Sequence, residues 1–161
     1  MRTAPIINSV WISRTIGCKL KELADEYFPL EVGGILAGYL SNESAVVTEI
    51  VGPGPQAQHH RETFLPDHSY QTEQMHRIFL ESKGGTVYLG DWHTHPQGPP
   101  ILSPLDIRTM RTIAESPEAR CPSPAMILLA QAKTEWMIHA FCLANPREPL
   151  TEVRAVRIQL F

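Results

Sequence analysis

The sequence has few cysteines, no excess of positive charge and no long apolar run. Its three cysteines, Cys18, Cys121 and Cys142, are odd in number, far apart and never in a Cys-x-x-Cys arrangement. That excludes a disulfide framework as the organising device and points to a reducing compartment, the cytoplasm. Cys142 lies within an apolar stretch and reads as a small buried hydrophobe rather than a nucleophile. The net charge of −3 offers no basic surface for nucleic acid or an anionic membrane. No apolar run reaches the roughly 18 residues of a spanning helix. Met1 to Leu20 shows neither the apolar core nor the small-residue cleavage site of a secretory signal. The His-x-Glu and Pro-Cys-x-x-Cys elements of a zinc nucleoside deaminase are also missing, since Cys121-Pro122 has the order reversed and no partner cysteine.

What is present suits a globular chain. Hydrophobic residues make up 43% of 161 residues and charged residues 19%, enough to build one sizeable core. No repeat or long linker divides residues 1–161, so a single domain is expected. Ile16, Leu20, Leu23 and Tyr27 form one helical stripe over residues 13–27, closed by Pro29. Glu31 to Leu40 reads as a glycine-rich strand, and Ala45 to Val51 as its partner across a turn at Ser41-Asn42-Glu43. A second helix is expected over residues 67–81, with Met75, Ile78 and Phe79 on its inner face. Residues 86–92 form a strand, and Ser103 opens a third helix carrying Ile107, Met110 and Ala114 inward. The apolar run from Ala125 to Ala130 predicts a central strand covered on both faces. Residues 136–144 and 153–160 add two more strands, the last half-buried. The expected fold class is therefore α/β (α+β), with a mixed central sheet flanked by helices.

One stretch concentrates the chemistry. His93-Thr94-His95-Pro96 is followed, after a seven-residue gap, by Ser103-Pro104-Leu105-Asp106. Alternate strand residues share a face, so both imidazoles can converge on one ion. A short loop into a helix start can bring the Asp106 carboxylate back to them. Two nitrogens and one oxygen leave a fourth tetrahedral position open, the pattern of a catalytic rather than a structural zinc (Zn2+). The competing explanation is a chance histidine pair beside two helix caps, and the joint spacing weighs against it. Ser103 can serve both as cap and as hydrogen-bond donor to an oxyanion. A metal hydrolase also needs a base, and spacing alone does not choose among Asp91, Glu31 and Glu62; Asp91 could instead orient a ligand ring. The remaining histidines read otherwise: His59, His60 and His76 as solvated surface, His68 as a helix-start residue, and His139 as a hydrogen-bonded core residue. Trp92 should pack on the face opposite the histidines.

Glu31-Val32-Gly33-Gly34, about sixty residues before His-x-His-x7-Ser-x-x-Asp, resembles the JAMM motif of the JAB/MPN (Mov34/PAD-1) metalloprotease family. The resemblance spans the element order from the first helix to about Leu143. It implies an MPN fold in which Glu31 is the general base, His93, His95 and Asp106 hold zinc, and Ser103 steadies the tetrahedral intermediate. It further implies cleavage of an isopeptide or peptide bond after the C-terminus of a ubiquitin-like protein, as precursor or as conjugate. Gly52-Pro53-Gly54-Pro55-Gln56-Ala57 and Phe64-Leu65-Pro66-Asp67 look like those of short bacterial members found beside ubiquitin-like conjugation operons, including the deconjugating peptidases of CBASS anti-phage systems. The chain departs from larger members in being nearly a bare catalytic domain. Either the substrate tail supplies most of the binding or an assisting protein partner contributes. Gly33, Gly34, Gln97 and Gly98 are candidates for a groove that takes an extended tail as an added strand. The rival expectation is a catalytically silent MPN scaffold that only binds partners, but such members usually lack motif residues that are complete here.

Overall fold

The computed structural model describes residues 4–161. Its strands are β1 (Ser9–Ile12), β2 (Gly33–Ser41), β3 (Ser44–Val51), β4 (Gln58–His59), β5 (Phe64–Leu65), β6 (Val87–His95), β7 (Ala125–Ala132), β8 (Glu135–Leu143) and β9 (Val153–Leu160). Its helices are α1 (Arg14–Tyr27), α2 (His68–Glu81) and α3 (Pro104–Glu115). Each start carries a side-chain cap: Ser13 accepts from the Ile16 amide, Asp67 from Tyr70, and Ser103, as predicted, from Asp106. These acceptors satisfy amides that have no partner inside the helix.

Seven strands form one mixed sheet in the order β1-β3-β2-β6-β7-β8-β9, and the parallel pairing of β1 with β9 closes it into a barrel. Closure goes beyond the expected flanked sheet and leaves no free edge among these strands. The short β4 and β5 pair separately.

Strand β7 shows why the site is rigid. Ile127 and Leu129 face the main core with Leu20, Leu36 and Trp92, while Met126 and Leu128 face Met110 and Leu102 beside α3. Both faces are buried, as its continuous apolar run predicted. Parallel pairing then sets His93 beside Leu128 and His95 beside Ala130. Antiparallel pairing sets Gly33 beside His93. The histidine strand is thus braced on both sides by ladder hydrogen bonds.

Three expectations change. Phe79 is 42% exposed, while Tyr70 joins the expected Met75 and Ile78 in packing α2 against Ala37 and Val51. The histidine-bearing strand runs on through His95 before Pro96 ends it, so both histidines are laddered residues. Glu31 precedes β2, whose ladder begins at Gly33.

Candidate metal centre

Three side chains from two elements meet at the open end of β6. His93 Nε2 and His95 Nε2 lie 3.1 Å apart. Asp106 Oδ1 is 3.3 Å from His93 Nε2, and its Oδ2 is 3.5 Å from His95 Nε2. Ligands about 2.0–2.1 Å from a tetrahedral ion have edges of roughly 3.3–3.4 Å, so this triangle is the size one zinc requires. The helix cap aims the carboxylate: Asp106 Oδ2 accepts from the Ser103 amide at 2.7 Å, and Ser103 Oγ accepts from the Asp106 amide at 3.1 Å.

The tautomer of His95 strengthens the fit. Its Nδ1 lies 3.3 Å from the Pro99 carbonyl, which can only accept, so Nδ1 carries the hydrogen. A neutral His95 then presents a bare Nε2 lone pair to a carboxylate oxygen and to the other ring. Such a convergence of acceptors needs a cation or a proton at its centre. Without an ion, a proton on the rings takes that central place. Burial pushes the Asp106 carboxyl up, but hydrogen bonds to His93 and His95 outweigh it and hold the group well below the usual carboxylate range. Burial lowers His95, yet its bond to Asp106 leaves it raised overall.

Glu31, two residues before the Gly33 that pairs with His93, feels the charges of the same cluster. It is buried, and burial raises its carboxyl, opposed by the positive potential of His93 and His95. Asp91 is turned elsewhere. Its carboxylate accepts from the Tyr88 hydroxyl at 2.8 Å, and burial pushes it up to about 6 against that bond. This bond, and not one to a ligand ring, is the one Asp91 makes. Glu62 is exposed. Of the three acids left open by spacing, Glu31 is the one coupled to both histidines and to Asp106.

The structure sorts the other candidates. A side chain on Gly34 would meet the Val51 carbonyl at 1.9 Å, and one on Gly33 the Trp92 carbonyl at 2.6 Å. Both glycines are buried, so close strand packing rather than an open groove explains them. Gln97 and Gly98 lie on the turn after β6, where Gln97 accepts from Arg61 at 3.4 Å. Trp92 packs away from the histidines as expected and donates to the Val51 carbonyl. Cys121 and Cys142 are pushed up to about 12 by burial, which removes them as nucleophiles. His139 is half-buried rather than a core residue. His59 is not the solvated residue expected: its ring stacks on Tyr27 and its Nδ1 bonds the Glu31 carbonyl. Adjacent His59 and His60 carry no periodic signal, so only the pairing of β4 with β5 reveals that role.

A match to the family described as "Prokaryotic homologs of the JAB domain" spans residues 19–141. The chain belongs to this family. Glu31, His93, His95, Ser103 and Asp106 all fall inside the matched range. A probable metalloprotease, y4qB, of Sinorhizobium fredii is 38% identical over 136 residues, covering 82% of each chain. A CD-NTase/cGAS isopeptidase of Escherichia coli is 33% identical over 93 residues, which is 56% of this chain and 60% of that one. The solution structure of protein DSY2949 from Desulfitobacterium hafniense shares the fold at a TM-score of 0.67 and 21% identity, covering 94% of this chain and 92% of that one.

Proposed function

We propose that this JAB-domain chain is a zinc-dependent peptidase or isopeptidase that cuts after the C-terminus of a ubiquitin-like protein. The observation that carries the proposal is the His93–His95–Asp106 triangle, whose charges the buried Glu31 carboxyl feels. Relatives named as a metalloprotease and as isopeptidases support the reaction class and a ubiquitin-like conjugate as substrate.

His93, His95 and Asp106 would hold the ion. Zinc there supplies Lewis acidity, polarising a carbonyl and lowering the pKa of a water to about 7. Glu31, with its proton affinity raised by burial, takes a proton from the attacking water and returns it to the departing amine. Ser103 uses its oxygen to accept from Asp106 and keeps its own hydrogen free, so its hydroxyl donates to the oxyanion that forms on the attacked carbonyl. Pro99 fixes the His95 ring. Gln97 and Gly98, on the turn after β6, would line the substrate tail.

Among the described residues no helix is long and apolar enough to cross a membrane. The proposed setting is the cytoplasm, in bacterial anti-phage defence, with a ubiquitin-like protein or its conjugate as partner. The test is incubation of the zinc-loaded protein with ubiquitin-like fusions and conjugates, followed by mass analysis of the products. Cleavage directly after the ubiquitin-like C-terminus, abolished by chelator, is expected. Intact substrates with a zinc-loaded protein would favour the silent scaffold.

A further inference from the structure

We infer that His59 is a positioning residue for the Glu31 carboxylate, an inference that rests on Glu31 acting as the base. Glu31 lies outside the β2 ladder, so regular sheet bonding does not hold its backbone. Individual bonds do so instead. The Glu31 amide donates to the His60 carbonyl at 2.7 Å, and the Glu31 carbonyl is 2.8 Å from His59 Nδ1. On the far side the Val32 amide donates to Thr94 Oγ1 at 3.1 Å, and the Val32 carbonyl accepts from the Thr94 amide at 2.9 Å. Thr94 stands between the two histidines, so this second pair ties the glutamate segment to the metal strand.

The His59 bond has a defined sense. A carbonyl only accepts, so Nδ1 carries the hydrogen and donates it. The ring is also wedged. It stacks on Tyr27 with centroids 4.1 Å apart and planes at 22°, and meets Phe64 at 5.4 Å and 38°. Tyr27 ends α1 and Phe64 belongs to β5, so one imidazole joins the helix, the small sheet and the glutamate segment. Phe64 in turn presses on Gly33, where a side-chain carbon would come within 2.9 Å of its ring. The two-residue pairing of β4 with β5 is too short to be rigid alone, and the ring supplies what the ladder lacks. The bond ends on the carbonyl of the residue that carries the carboxylate. Rotation of that peptide unit swings the side chain relative to His93 and His95, and a misplacement of about 1 Å can cost roughly 100-fold in rate.

Two variants separate positioning from general support. His59→Phe keeps an aromatic ring between Tyr27 and Phe64 but has no donor. His59→Asn loses the ring and restores an N–H near the Nδ1 position. With a linear ubiquitin-like–peptide fusion as substrate, His59→Phe should lower kcat by about 100-fold, leave KM within about twofold and retain zinc. His59→Asn should recover to within about tenfold of wild type. Hydrogen exchange reads the same bond without turnover: the Glu31 and Val32 amides should exchange at least about tenfold faster in His59→Phe, with β7 amides unchanged. Unchanged exchange at Glu31 and Val32, or a rate loss matched by lost zinc or by exchange across the whole barrel, overturns the inference. Glu31→Gln assayed in parallel separates the two claims. If it turns over like wild type, the base assignment fails and the positioning role with it. If it is inactive while His59→Phe keeps its kcat, only the role of His59 fails.

Discussion

His93 Nε2 sits 3.3 Å from Asp106 Oδ1, although one belongs to the end of β6 and the other to the first turn of α3. The eight residues from Pro96 to Ser103 connect the two elements. The contact is set by two unrelated devices: ladder pairing of β6 on both sides, and the reciprocal cap between Ser103 and Asp106. Neither device needs a metal to form, so the ligand triangle is built by the fold and not by the ion.

Metal removal should therefore leave the protein folded, and replacing one ligand should remove the metal. His95→Ala is expected to bind zinc far below one equivalent after dialysis, because second coordination to a single nitrogen and one oxygen is weak. Elemental analysis beside wild type checks this. Retention of a full equivalent would remove His95 from the ligand set.

Ser103 caps α3 and, on the proposed mechanism, also serves the oxyanion, and one substitution separates the two by readout. Ser103→Ala should cost about 1 kcal/mol of stability through loss of the cap to Asp106. It should also lower kcat by roughly 100-fold or more through loss of the oxyanion donor. Denaturant unfolding measures the first and steady-state kinetics the second. A stability loss with unchanged kcat would leave Ser103 as a cap alone.

Asp91 predicts a pH dependence. Burial raises its carboxyl from the ordinary 3.8 to about 6 in the folded chain. The folded state thus favours the protonated form, and stability is highest at low pH and falls as pH rises through about 6. Asp91→Asn keeps an acceptor for Tyr88 and has no charge to bury. In chelated protein its stability advantage over wild type should grow by about 2 kcal/mol between about pH 4 and about pH 7. Denaturant unfolding at the two pH values measures it, and an advantage that does not change with pH would contradict a buried, titrating Asp91.

Much of this site is legible in sequence because it rests on local rules. His93 and His95 share a face through strand alternation, and Ser103-Pro104-Leu105-Asp106 announces a capped helix start. The apolar run at 125–130 announced β7 as a two-faced core strand. Long-range relationships leave no such trace. Barrel closure depends on β1 meeting β9 from opposite ends of the chain. Phe79 fits the helical stripe but has no neighbouring element to cover it. Gly33 and Gly34 looked like space for a substrate, whereas the space is taken by Phe64, Trp92 and the Val51 carbonyl. His59 acts through a single bond to a backbone carbonyl, which no residue pattern encodes.

The central claim is that Glu31 moves protons beside a metal held by His93, His95 and Asp106. Turnover of zinc-loaded Glu31→Gln against wild type tests it most directly, because the amide preserves size and one acceptor oxygen and removes the base. A fall in kcat of about 100-fold or more, at unchanged zinc content and unfolding midpoint, is predicted. Wild-type kcat in that variant would contradict the account.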